Sequence, residues 1–184
     1  GFSRRASIRR FTLCGGEAAV RDPSRVAIAL LSQLPEISAE TISRLLSQDL
    51  ARIRRLQAAL RSSGSPQTSS LGRLMEGVAS LVLGMQNCDY IGEPAVRFDA
   101  ACDSRATGSY SWTIDERSNP WEIDWRPMMR ALLNDVCGGE SPGIIAERFH
   151  RGIVHCILEL QARCPALPWV FSGGVFQNRR LCEL

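Results

Sequence analysis

The chain has 184 residues, 45% of them hydrophobic and 22% charged, with a formal net charge of +3. That is the size and composition of one packed domain, and it excludes a disordered segment and a strong polyelectrolyte. No apolar run approaches the roughly 20 residues that cross a bilayer. The basic start, GFSRRASIRRF, has no apolar stretch behind it, so it does not read as a secretory signal, and a cytoplasmic location without a membrane partner is expected.

All 22 basic residues are arginines. RRASIRR and RIRR could touch phosphates, but their spread along the chain fits a solvated or salt-bridged surface better than nucleic-acid binding, so no nucleic-acid partner is expected. The seven cysteines are scattered and form no CxxC pair, which argues against a zinc ribbon or a thioredoxin-like site and for reduced thiols.

In chain order, RDPSRVAIALLSQL starts a helix, with Asp22 as N-cap and Pro23 in the first turn. A second helix is expected from about Ser38 to Leu60, with Ile42, Leu45, Leu46, Ile53, Leu56 and Leu60 on one stripe. RSSGSPQTSS is a polar connection. Ser69 or Ser70 caps a third helix, LGRLMEGVASLVLG, whose Leu74, Val78, Leu81 and Val82 face inward and which Gly84 ends. After the loop NCDYIGEP, Pro94 opens a short helix to about Cys102. GSYSWTI and WEIDW read as two strands joined by a turn. Pro127 starts another helix, and Ser141 and Pro142 start the longest late one, to about Cys164, with Ile145, Phe149, Ile153, Ile157 and Leu160 inward. PWVFSGG reads as a last strand.

Few groups in this frame could carry chemistry. His150 and His155 are five apart, about 500° of helical rotation, so they do not share a face as paired metal ligands would; structural or surface roles are expected. Arg73 and Glu76 are neighbours on one helix face. They are either a surface ion pair, worth about 0.3–0.5 kcal/mol, or the polar end of a helix that reaches a ligand. The Ser172-Gly173-Gly174 turn lets the backbone approach a ligand, and Asn178 could hydrogen-bond it; an ordinary strand-to-helix turn explains the glycines equally well. Gly15-Gly16 with Arg21 and Arg25 reads as a capped turn.

Six phrases then occur in a specific order: GGEAAVRDPSRVA, PQTSSLGRLMEGVASLVLG, YIGEPAVRFDAAC, IDWRPMMRALL, IAERFHRGI and FSGGVFQN. Together they resemble the last domain of the HypF carbamoyltransferases, hydrogenase maturation proteins, from about Arg9 to Leu184. That domain is similar to the tRNA threonylcarbamoyl-transferase (TsaD) family, and both have the actin/Hsp70-like ATPase (ASKHA) fold. The resemblance implies an α-rich α/β piece of that fold. A helical subdomain would occupy roughly 20–165, and the next β/α lobe would start at 167–184.

It also implies chemistry. ATP and carbamoyl phosphate give carbamoyl-adenylate, and the carbamoyl group passes to the C-terminal cysteine of the partner protein HypE, on the way to the cyanide ligand of [NiFe]-hydrogenase. By position, Gly173, Gly174 and Asn178 would line the adenosine site. Glu76 would take the place of an aspartate that binds the ribose, and Gly92 would be a ribose-side glycine. Arg73 and Ser172 would support them. The chain has Ile91 where the family pattern has an acid. The complete protein is expected to use a divalent metal, iron or zinc, and Mg. The metal's HxxxH pair and later aspartate lie outside this sequence, as does the phosphate-binding glycine loop, so no metal ligand is expected in this chain, and the catalytic residues are left unassigned. By itself it is expected to be marginally stable, to bind ATP weakly and to be inactive. A TsaD-like tRNA transferase, an O-carbamoyltransferase and an inactive binding fragment are the other readings.

Overall fold

The computed structural model describes residues 3–62, 64–165 and 168–184. The first half carries β1 (Ala6–Ile8), β2 (Phe11–Thr12), α1 (Ala18–Arg21), α2 (Ser24–Leu31), α3 (Ala39–Leu46), α4 (Leu50–Leu60), β3 (Gln67–Thr68), α5 (Leu71–Leu83) and α6 (Glu93–Ala100). The second half carries β4 (Thr113–Asp115), β5 (Trp121–Asp124), α7 (Arg126–Cys137), α8 (Pro142–Arg163), a 3-10 turn at Gly174–Gln177 and α9 (Arg179–Glu183). The chain is therefore α-rich α/β, as its sequence leads one to expect. Its contacts gather into two units, Arg10–Arg97 and Gly1–Arg9 with Phe98–Leu184.

The unit of residues 10–97 is built on α2 and α5. Seven of the eight residues of α2 are buried, as is every residue of α5 from Leu74 to Leu81. A helix covered on all sides belongs in the middle of a core, so α5 has more than the one inward stripe its leucines and valines suggest. Gly77 makes the close approach possible. A Cβ there would lie 2.8 Å from Val26 Cγ1, 2.9 Å from Leu30 Cδ1 and 3.2 Å from Ala27 N. Ser70 caps α5 by accepting from Arg73 N at 3.3 Å, and Gly84 ends it at φ +69°.

Two boundaries differ from expectation here. Residues 38–60 form two helices, not one. Ser47 takes the left-handed conformation (φ 50°), and Asp49 caps the second helix by accepting from Arg52 N at 2.8 Å. Asp22 is not the N-cap of α2, because α1 occupies the preceding turn and Pro23 takes the cap position. The Asp22 carboxylate instead gathers Ser24 Oγ (2.5 Å), Arg25 Nε (3.0 Å) and Arg52 Nη2 (2.6 Å).

In the other unit, β4 and β5 make the expected hairpin, and β1 adds to it in parallel, Ala6 beside Trp121 and Ile8 beside Ile123. RRASIRR therefore contributes a strand as well as charge. Its Arg9 meets Glu122 at 2.5 Å, and Arg5 sits over the Trp121 ring. Helix α8 is capped by Ser141 as expected. Its buried face runs Ile145, Ala146, Glu147, Phe149, His150, Gly152, Ile153 and Cys156, while Ile157 and Leu160 are only half-buried. The expected strand PWVFSGG is not formed. A strand exists through a partner's hydrogen bonds, and among the described residues no strand pairs with residues 168–173. Val170 is 87% and Phe171 53% exposed, and Phe171 stacks locally on Phe176 at 4.9 Å. All seven cysteines are free thiols.

Candidate functional site

The residues singled out in the sequence fall into two groups, one in each unit. In the unit of residues 10–97, α5 carries Arg73 and Glu76 one turn apart. They are not the surface pair that spacing alone allows, because the Glu76 side chain is 5% exposed. Arg73 Nη1 lies 2.6 Å from Glu76 Oε2, yet the two are not aligned as a hydrogen bond, and both atoms are buried without another partner. Burial raises the Glu76 pKa, and the nearby Arg73 charge only partly opposes this. An acid held this way has unused hydrogen-bonding capacity, which a buried carboxylate ordinarily does not.

The loop after α5 closes on Glu93. Its carboxylate accepts from Asp89 N at 2.6 Å and pairs with Arg97 Nη2 at 2.6 Å. These bonds, the backbone N–H first, hold the Glu93 pKa down. Gly92 turns the chain at φ +89°, with open space where a Cβ would be, so any other residue would be strained there. Tyr90 and Ile91 are 54% and 73% exposed. Cys88 lies near Glu76 and Glu93, and burial and those two carboxylates raise its pKa.

In the other unit, Gly173 has φ +93°, and neither Gly173 nor Gly174 has any atom within 4 Å of a built Cβ. The glycines are thus required by backbone conformation at Gly173 and leave the turn's surface bare at both positions. Ser172 beside them is exposed. Asn178 is more committed than a free ligand-binding side chain. Its Oδ1 accepts from Leu181 N at 2.7 Å, capping α9, and its Nδ2 lies 3.0 Å from His150 Nε2. One amide hydrogen is left over.

Sequence reasoning missed the support of this turn. His150 is fully buried, and Glu147, also fully buried, receives both arms of Arg180 at 2.6 and 2.7 Å and Arg151 at 2.7 Å. Those guanidinium bonds, Arg180 first, keep the Glu147 carboxyl below the usual range. A histidine and an acid inside an otherwise apolar helix stripe were the available sign. His155, five residues on, is exposed and bonds Ser109 Oγ at 2.9 Å. Among the described residues no group of three His, Cys, Asp or Glu side chains could hold a metal ion.

A family model described as carbamoyltransferase, Kae1-like domain, second subdomain, matches residues 1–184, the whole chain. The chain belongs to that family. Curated relatives named Carbamoyltransferase HypF agree with it. The one from Synechocystis sp. is 27% identical over 194 residues, covering 96% of this chain and 25% of the relative. The one from Rhodobacter capsulatus is 30% identical over 195 residues, covering 100% of this chain and 24% of the relative. A crystal structure of full-length HypF in a phosphate- and nucleotide-bound form superposes with a TM-score of 0.86 at 23% identity, over 100% of this chain and 25% of that one. The T. kodakarensis HypF structure gives a TM-score of 0.76 at 20% identity, over 97% of this chain and 25% of that one. At those identities the superpositions establish a shared fold. The Kae1-like subdomain thus spans about a quarter of the length of the proteins it matches.

Proposed function

We propose that this subdomain supplies the adenosine side of the nucleotide site in a carbamoyltransferase. In the complete protein the carbamoyl group of carbamoyl-adenylate, made from ATP and carbamoyl phosphate, passes to the C-terminal cysteine thiol of HypE. The S–carbamoyl bond forms, the bond to AMP breaks, and AMP leaves. The single observation that carries this reading is the match of all 184 residues to the Kae1-like carbamoyltransferase family. It is supported by the curated relatives' shared name and by the nucleotide-bound state of one HypF of the same fold.

Within this reading Gly173 and Gly174 let the adenosine lie against bare backbone, and Asn178 offers its remaining amide hydrogen. Glu76 accepts from a ribose hydroxyl, with Arg73 beside its carboxylate and Gly92 shaping the loop after α5. Ser172 lies at the edge of the turn. Iron or zinc, and Mg, belong to the same proposal for the complete protein, as does a cytoplasmic setting for hydrogenase maturation. No described group of this chain fits such a metal. Among the described residues no helix is long and apolar enough to cross a membrane.

The test is transfer itself. The complete protein carrying this subdomain, given ATP and carbamoyl phosphate, is expected to add one carbamoyl group to a HypE C-terminal peptide, read by mass spectrometry. It is expected to add none to a peptide whose terminal cysteine is replaced by serine. Modification of tRNA or of a sugar hydroxyl in place of the peptide would overturn the reading.

A further inference from the structure

His150 lies outside the set of residues assigned to the nucleotide, but its surroundings tie it to one of them. Its Nδ1 is 2.7 Å from the Ala146 carbonyl oxygen. A carbonyl can only accept, so Nδ1 carries the proton, and Nε2 of the neutral ring is left as an acceptor. That nitrogen meets Asn178 Nδ2 at 3.0 Å, while Asn178 Oδ1 takes the Leu181 N–H at 2.7 Å. The amide is therefore fixed from both ends. Turning it over would place its NH2 against the Leu181 N–H and its oxygen against the Nε2 lone pair, losing both bonds. The remaining amide hydrogen keeps one direction only while His150 stays neutral and Nδ1-protonated.

Every element around the ring bears on this. Phe98 and Phe149 pack on it at 5.6 and 5.8 Å between centroids. The charged groups that face it are Asp99 near the end of α6, Glu147 on its own helix and Arg180 on α9, with the Cys102 thiol 3.4 Å from Nδ1. Arg180 ties the acids together: its guanidinium holds Glu147, and its backbone N–H donates to Asp99 Oδ1 at 2.9 Å. With the acids so engaged, burial prevails over their pull, and the ring stays neutral.

We propose that His150 is a positioning residue for the glycine turn: its neutral imidazole holds the Asn178 amide and, through it, the cap of α9, and protonation at Nε2 releases both. On protonation two N–H groups would face each other, so the amide must swing away or turn over, and either movement changes what the turn presents. What the turn binds rests on the nucleotide reading; the imidazole–amide–cap relay does not.

The experiment is therefore done without ligand. In the full chain, nitrogen-15 NMR of the imidazoles, assigned with a His155→Gln variant, is expected to show His150 protonated at Nδ1 and bare at Nε2 at neutral pH. As pH is lowered through the titration of that ring, the protection factor of the Leu181 amide is expected to fall roughly tenfold, the scale of one lost hydrogen bond. His150→Gln supplies an acceptor that does not titrate, so protection is expected to persist and the pH step to vanish. His150→Phe supplies none and is expected to lose protection at every pH. If His150→Phe does not fold, the wild-type and His150→Gln titrations decide. An Nε2-protonated tautomer, a Leu181 amide indifferent to the His150 titration, or a pH step that survives in His150→Gln would each overturn the proposal. Perturbation of the Asn178 side-chain signals by ATP is a separate readout, and its failure would count against the nucleotide reading alone.

Discussion

Glu76 is where a single residue decides between structure and function. The carboxylate is buried in α5, its partner Arg73 is close but poorly aligned, and burial raises its pKa. A group with a raised carboxyl pKa favours folding as the pH falls toward its unfolded value and burdens it above. Glu76→Gln removes the buried charge and keeps the shape. Arg73, 20% exposed, can turn its head to water. The expected outcome is a melting midpoint equal to or above wild type at neutral pH, with ATP affinity of the complete protein lowered about tenfold, a charge-assisted hydrogen bond being worth about 1.5–3 kcal/mol at most. A loss of stability with nucleotide binding unchanged would make Glu76 a structural acid instead. Spacing put Arg73 and Glu76 together in the sequence, but it could not tell a solvated pair from a buried one, because burial depends on what other elements cover the helix. The same limit applied to Asn178. The turn's composition pointed to a ligand or a cap, and only the arrival of His150 from α8 shows how fully the side chain is already used.

The elements whose signals are local were legible. Ser70, Ser141 and Gly84 cap and end helices where the sequence places them, and the β4–β5 hairpin stands where two apolar runs flank a polar turn. The misses have physical reasons. Strand β1 is defined by a parallel partner far along the chain, which no local pattern encodes. Leu45, Leu46 and Ile53 continue one apolar rhythm across Ser47, so the break between α3 and α4 rests on one left-handed residue and on Asp49, a cap that the rhythm conceals. The stretch 168–173 has strand composition but no paired neighbour. Close packing of α2 on α5 was likewise invisible until Gly77 could be seen facing Val26 and Leu30. Gly77→Ala therefore sets two effects against each other. A methyl group improves helix propensity by about 1 kcal/mol, but overpacking a tight contact costs about 1–3 kcal/mol, and here one neighbour is backbone nitrogen at 3.2 Å. A net loss of about 1–2 kcal/mol in urea unfolding is expected. A variant as stable as wild type would show that the helices separate at little cost.

For the molecule as a whole, pH gathers these local charges into one measurable curve. Buried His150 has a lowered pKa, so between that value and the ordinary one near 6.5 the unfolded chain binds a proton that the folded chain refuses. Its contribution to stability is complete above about 6.5 and declines as pH falls toward the folded value, by at most about 1.4 kcal/mol per pH unit for one proton. Glu147, Asp124 and Asp103 have lowered pKa values. They add stability above their unfolded values and withdraw it in stronger acid, whereas Glu76, raised, works the other way. The acid limb should therefore begin near pH 6.5, earlier than carboxylates alone would start it. His150→Gln should remove that early decline and leave the later one in place. Urea midpoints from pH 7.5 to 5.5 test this. A flat wild-type curve over that range, or an unchanged slope in His150→Gln, would mean that the ring is protonated inside the fold or reaches water, and that Glu147 and Asp99 outweigh burial.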